Sequence, residues 1–300
     1  MRFFFLRLLT SALILLGGGL LLYSDTASWL NQHRQSAIVN ALGGSVSEAD
    51  PAPAEQLAAA RRYNAALSSG ADLLAHQRKP AGVGSVDQEA ADIWPYEQIL
   101  TADSQGLMGR IRIPAIDVDL PIYHGTSETV LSRGVGHLEG TSLPIGGSDT
   151  HTVLTAHRGL AQSRLFTDLD KLAEGDTFTV EVFGEVLVYR VFQKLTVQPE
   201  DNESLRQIVG KDLATLVTCT PLGINSHRIL VTAERVHPTP MTEVEQAQQP
   251  SDLPRFPWWA VWALLFVLLA TFNALHAWWQ YRGRDNRHTT PPFKNLKYSV

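Results

Sequence analysis

Apolar residues crowd the two ends of this chain, and a membrane is the solvent that such runs fit. The first covers residues 8–23 and follows Arg2 and Arg7. A basic start and a short apolar core describe either a secretory signal or an uncleaved anchor. Ser24-Asp25-Thr26-Ala27 is a poor cleavage site, which favours the anchor. The second run, residues 258–279, is long enough to cross a hydrocarbon layer as a helix. Five of the seven tryptophans lie at its edges (Trp258, Trp259, Trp262, Trp278, Trp279), as in an interfacial aromatic belt. Arg282, Arg284 and Arg287 follow, with Lys294 and Lys297 beyond. Asn273 and His276 are polar blemishes inside the span, and the competing reading is a buried soluble helix. Positive charge marks the cytoplasmic side, so both termini read as cytoplasmic and residues 25–255 as extracytoplasmic.

Between the runs the chain has ordinary globular composition. Its net charge of -5 and the absence of a basic stripe argue against nucleic acid as a partner. One cysteine, Cys219, rules out an internal disulfide and every C-x-x-C metal pattern. A lone thiol outside the cytoplasm can oxidise or couple to another chain. It is either a small buried apolar residue or a reactive one.

Residues 25–105 read as a stalk. The stretch 56–77 is rich in Ala and Leu and helix-prone. Ala49-Asp50-Pro51-Ala52-Pro53-Ala54 breaks the chain before it, and Lys79-Pro80-Ala81-Gly82-Val83-Gly84 makes a loop after it. Asp92-Ile93-Trp94-Pro95-Tyr96 then reads as an exposed segment carrying two aromatics. The compact domain begins near Met108. Strand character marks 109–113, 152–155, 178–182, 186–192, 215–219 and 229–232, rich in β-branched residues and separated by Gly, Pro and Asp. Short helical pieces fit at 127–132 and 163–169. Many short strands with few helices make a mostly β chain, a small and largely antiparallel barrel. Residues 237–257 form a linker.

Cys219 ends an apolar strand, and Pro221 cannot extend the ladder, so the thiol is presented at the strand's mouth. A thiol nucleophile needs an acid or base partner. Of ten histidines, His157 stands just past a strand and before Gly159. His33, His76, His237, His276 and His288 fall in stalk, linker, span or tail. His124, His137 and His151 lie near turns, where hydrogen-bonding structural roles are open to them. Residues 220–226 are short enough for a hairpin, and strand alternation turns Arg228 towards Cys219 if His227 turns away. A guanidinium beside the thiol could donate to an oxyanion through several N–H groups. An arginine holding a surface carboxylate is the alternative.

Leu216-Val217-Thr218-Cys219-Thr220-Pro221 with Arg228, and Thr155-Ala156-His157-Arg158-Gly159 upstream, resemble the sortases, the Gram-positive surface transpeptidases. The likeness extends through Ile122-Tyr123-His124-Gly125-Thr126-Ser127 and through residues 134–144. With the second span after the barrel, it is similar to the class C, pilin-polymerising branch. The resemblance covers roughly residues 106–236. It implies an eight-stranded barrel with short helices, a helical N-terminal stalk and flanking transmembrane helices. It also implies a donor of the Leu-Pro-x-Thr-Gly type, a pilin lysine as acceptor, and no cofactor or metal. Cys219 would be the nucleophile, His157 the acid/base and Arg228 the oxyanion donor.

The divisions expected are a membrane anchor at 1–24, a stalk with lid at 25–105 and a catalytic barrel at 106–236. A linker at 237–256, a second span at 257–280 and a basic tail at 281–300 complete them. The class C branch carries an Asp-Pro-aromatic lid over the site. Asp92-Ile93-Trp94 occupies that place with Ile for Pro, so Asp92 is expected on Arg228 and Trp94 over Cys219. Two rivals share parts of this picture. One is a wall-anchoring or hydrolytic enzyme of the same fold, separated only by its acceptor. The other is a non-enzymatic surface module in which Cys219 is structural.

Overall fold

The computed structural model describes residues 2–67, 94–201 and 203–285. The chain divides into two units, one formed by Met1–Ala27 with Phe256–Val300 and the other by Ser28–Arg255.

The first unit holds the start of helix α1 (Arg2–Ser47) and helix α5 (Trp258–Asp285). Both are long and apolar enough to cross a membrane. Their polar residues meet one another. Asn273 Nδ2 donates to Arg7 O at 2.9 Å and to Ser11 Oγ at 3.0 Å, and Ser11 Oγ donates to Ala270 O at 2.9 Å. The blemish at Asn273 is thus satisfied between helices, where an isolated amide would be costly in lipid. A Cβ on Gly18 would lie 2.7 Å from the Phe266 ring, so this glycine is what lets the two helices approach.

The second unit is built on a closed eight-stranded barrel. Its strands are β1 (Leu107–Ile113), β2 (Val118–His124), β3 (Val135–His137), β4 (Thr150–Thr155), β5 (Thr177–Val182), β6 (Glu185–Val197), β7 (Asp212–Thr220) and β8 (His227–Arg235). Around the barrel they run β1-β2-β3-β4-β7-β8-β6-β5. The β2–β3 and β4–β7 pairings are parallel and the others antiparallel. All six expected strands are present and longer than their apolar pattern. β2 and β3 are additional: β2 contains Asp119 and Pro121, residue types depleted in strands, and β3 has only three residues. Helix α3 (Glu128–Leu131) stands where a helical piece is expected, with Ser127 Oγ accepting from Val130 N at 3.3 Å. No α-helix forms at 163–169. That stretch is a run of turns leading into a 3-10 turn at Leu169–Lys171, where Arg164 and Lys171 pair with Asp168.

Helix α2 (Pro53–Ala66) begins with Pro53, carries Glu55 in its first turn, and buries Gln56, Ala59, Ala60 and Tyr63. That stripe recurs at helical spacing and joins the barrel's hydrophobic cluster. Gln56 Oε1 accepts from Leu100 N at 2.7 Å, which holds a leucine that is fully buried at φ 58°. Asn64 brackets Leu143, donating to its O at 3.0 Å and accepting from its N at 2.7 Å. Residues 42–67 are therefore part of the barrel's packing.

The charge inside β2 has a partner. Asp119 accepts two 2.7 Å bonds from Arg110 of β1, with the side chains 2% and 5% exposed. Arg110 Nη1 also donates to Ala247 O and Gln249 O, capping the end of helix α4 (Met241–Ala247). Asp119→Ala takes the two short carboxylate bonds from a buried guanidinium, leaving Glu181 Oε2 at 3.8 Å, and is expected to cost about 3 kcal/mol. Arg110→Met with Asp119→Leu should recover much of that loss. Chemical denaturation of the three proteins checks both expectations.

Candidate active site

β7 is buried through Leu216 and opens at its end, so Cys219 is half-buried where the strand gives way to an exposed connection at 221–226. The β7–β8 register pairs Cys219 with Arg228 and Thr220 with His227. Arg228 is thus the cross-strand neighbour of the thiol, as the alternation argument requires. His227 turns to other partners, with Ser226 Oγ 2.9 Å from Nδ1 and Gln198 Nε2 3.0 Å from Nε2.

On its other side β7 lies parallel to β4, with Thr155 opposite Val217. Ala156 N donates to Val217 O at 3.2 Å, and Thr218 Oγ1 donates to Ala156 O at 2.8 Å. Extended two residues past its last pair, this register would set His157 opposite Cys219. The fold thus gathers Cys219, Arg228 and His157 at one end of three adjacent strands. His157 Nε2 sits 3.1 Å from Glu128 Oε2 at the start of α3, its side chain 25% exposed. Arg228 Nη1 donates to Asn225 O at 2.9 Å and His227 O at 3.1 Å, which holds the guanidinium at the turn. Its Nε and Nη2 carry no partner among the described residues. A half-exposed thiol, an imidazole and a guanidinium in this arrangement can attack a carbonyl, move a proton and hold an oxyanion.

Two neighbours of this site escaped the pattern reading. Glu128 meets His157 only through tertiary structure, and its one legible trace was its place after the capping Ser127. Arg158 stands beside His157 in the sequence, yet nothing local says that it turns inward. Among the described residues, no group of three or more His, Cys, Asp or Glu side chains is arranged to hold a metal ion.

The remaining histidines of the barrel are structural. His151 lies between Thr215 Oγ1 at 2.7 Å and Arg206 O at 2.9 Å. The ring nitrogens of His124 lie 3.0 and 2.7 Å from the carbonyl oxygens of Gly106 and Ile99. His137, fully buried, has Tyr96 Oη 2.9 Å from Nδ1 and Ser142 O 2.9 Å from Nε2. Tyr96 accordingly departs from the expectation of an exposed segment. It is buried, stacks on His137 with ring centroids 5.7 Å apart, and accepts from Gly125 N at 3.1 Å. Its phenol finds inside the barrel the partners that make its burial tolerable. Trp94 is partly buried against the same hydrophobic cluster. Asp92 lies outside the described residues.

The Sortase domain family matches residues 111–236. A sortase A of Streptococcus agalactiae is 32% identical over 145 residues, which span 46% of this chain and 58% of that protein. The chain thus spans less than two thirds of this curated relative. Solved structures align more fully. The sortase C-1 of Actinomyces oris is 46% identical with a TM-score of 0.53, covering 61% of this chain and 97% of that one. The sortase C of Streptococcus pneumoniae, studied for its pilin substrate specificity, is 40% identical with a TM-score of 0.54, covering 67% and 96%.

Burial pushes His137 down to about 4, against about 6.5 for an exposed imidazole. The unfolded chain therefore binds a proton that the folded chain refuses between those values, so stability falls as pH drops from 6.5 to 4. Burial lowers His124 and His151 as well, in the same direction. His137→Gln should flatten the acid limb by up to about 1.4 kcal/mol per pH unit. Denaturant midpoints from pH 7.5 to 4 measure the slope.

Proposed function

This chain belongs to the sortase family, and we propose that it is a membrane-anchored cysteine transpeptidase of the pilin-polymerising class C type. The observation that carries the reading is the strand-end grouping of Cys219, Arg228 and His157, set by the β4–β7–β8 register. The overlap with sortase C structures at 40% identity and above supports the class.

The reaction is an exchange of one amide for another. Cys219 Sγ attacks the Thr–Gly carbonyl of a Leu-Pro-x-Thr-Gly-like motif, forming a C–S bond. Arg228 donates N–H groups to the tetrahedral oxyanion, for which its Nε and Nη2 are suited. The C–N bond then breaks, and His157 gives a proton to the departing glycine amine. A lysine amine of a pilin subunit attacks the thioester and forms an isopeptide bond; the C–S bond breaks to release the Cys219 sulfur as thiolate, and His157 takes the one proton the amine loses. No oxidant and no external energy source enters this balance.

In this reading residues 106–236 are the catalytic domain, outside the cytoplasm. The helices near the two ends cross the bilayer, with Arg2 and Arg7 on the cytoplasmic side at one end and Arg282, Arg284 and Arg287 at the other. The lid belongs to the proposal too: Asp92 would pair with Arg228 and Trp94 would cover Cys219 until substrate enters. Removing that cover exposes the thiol, so Trp94→Ala should speed alkylation of Cys219 by iodoacetamide several-fold. An unchanged alkylation rate counts against the lid.

The central test uses the full chain in detergent, a quenched Leu-Pro-x-Thr-Gly peptide and a lysine-bearing pilin domain. Cys219→Ala should lower cleavage at least about 1,000-fold. Arg228→Lys, which loses the forked donor, should lower kcat about 100-fold. An isopeptide-linked product with the pilin domain supports the pilin class. Cleavage with no transfer to pilin rejects it in favour of wall anchoring or hydrolysis.

A further inference from the structure

Arg158 follows His157 directly, and its side chain is only 9% exposed. Its nitrogens reach two different pieces of chain. Nε donates to Thr167 O at 3.0 Å, in the turns that follow β4. Nη1 donates to Thr220 Oγ1 at 3.0 Å, on the residue after Cys219. Nη2 pairs with Asp170 Oδ2 at 2.7 Å, in the Leu169–Lys171 turn. The turns are tied back to the same place, since Phe166 N donates to His157 O at 3.1 Å and Gly159 N donates to Thr167 Oγ1 at 3.1 Å. Gly159 sits at φ +75°, and a Cβ there would lie 2.5 Å from Leu222 Cδ2 in the β7–β8 connection.

We propose that Arg158 is a positioning residue: its guanidinium links the backbone of His157 to the residue after Cys219 and so sets the distance between imidazole and thiol. The inference rests on the reading of Cys219 and His157 given above. β4 ends at Thr155, and the parallel ladder gives its last backbone bond at Ala156, so the residues that follow have no strand to hold them. Glu128 meets the His157 ring with a carboxylate that is 86% exposed, a contact that water screens. The buried fork of Arg158 is the stiffer restraint. Three donors in one plane match three acceptors, two on the turns after β4 and one beside Cys219, a geometry that a lysine ammonium cannot reproduce. Proton transfer between His157 and the reacting groups depends steeply on placement, and a shift near 1 Å can cost about 100-fold in rate.

The experiment follows cleavage of the quenched Leu-Pro-x-Thr-Gly peptide by the full chain in detergent. Arg158→Ala and Arg158→Lys should each lower kcat about 100-fold while KM stays within about threefold, because a misplaced acid/base slows the chemistry and leaves peptide binding alone. Guanidinium ion at low, non-denaturing concentration should restore part of kcat to Arg158→Ala and none to His157→Ala. Thr220→Val removes one of the three bonds and Asp170→Asn weakens another, and each should lower kcat about tenfold. If Arg158→Ala does not fold, those two variants decide. Wild-type kcat in Arg158→Ala, or in both milder variants, overturns the proposal, as does a loss confined to KM. Cys219→Ala and His157→Ala in the same assay separate the two levels. If either of them still cleaves at the wild-type rate, the catalytic reading itself fails. If both are inactive and the Arg158 series is unaffected, only the positioning role is lost.

Discussion

β7 has a parallel neighbour on one side and an antiparallel one on the other, and the site depends on that pair of contacts. The antiparallel partner β8 follows after a short turn, so Arg228 meets Cys219 through a local hairpin. The parallel partner β4 is more than fifty residues earlier in the chain, and a parallel pairing requires the chain to cross over before the strand can be laid down. The crossover here is β5, β6 and their turns, which go round to close the barrel with β1. His157 is therefore brought towards Cys219 by a long-range pairing and not by a local turn. A thiol and an imidazole brought together in this way do not form a reactive pair in the unfolded chain.

That difference explains which parts of the site could be read from the sequence. The Cys219–Arg228 pair rests on a strand, a proline stop and a short turn, all local signals. Alternation then assigns one residue of His227 and Arg228 to the thiol's face. His157 was legible as a residue past a strand end, but its level against Cys219 comes from a parallel register that no local pattern encodes. Six strands showed themselves through β-branched runs. β2 did not, because Asp119 and Pro121 are poor strand formers, and the bonds from Arg110 on the neighbouring strand make the buried charge tolerable. The turns at 163–169 carry residues compatible with a helix, and tertiary context overrides that propensity.

The N-terminal segment illustrates the same limit. Composition reads residues 25–105 as a stalk because a helix rich in alanine looks self-sufficient. In the folded chain Ala59 and Ala60 are small so that α2 can lie close on the barrel, while Gln56 and Asn64 satisfy backbone groups of Leu100 and Leu143. Polar side chains used in this way are invisible to a hydrophobicity pattern. Tyr96 is a stronger case: a loop aromatic beside proline suggests exposure, yet its hydroxyl completes a buried set with His137 and Gly125.

Arg158 and Arg228 stand on either side of Cys219 and differ in what their donors do. Arg158 is largely but not fully buried, each of its nitrogens has an acceptor supplied by the fold, and its charge faces Asp170. Arg228 is half-buried at the turn, with Nη1 held by two carbonyls and the rest of the fork unused among the described residues. A guanidinium with every nitrogen already engaged by the fold has less to offer a developing oxyanion. One with a fixed end and an unoccupied edge is pre-organised to receive charge, because orienting it is not left to the moment of reaction. Proximity to the thiol alone would not separate the two arginines, whereas the distribution of their hydrogen bonds does, and it is what supports the proposed scaffolding role of Arg158 and charge stabilisation by Arg228.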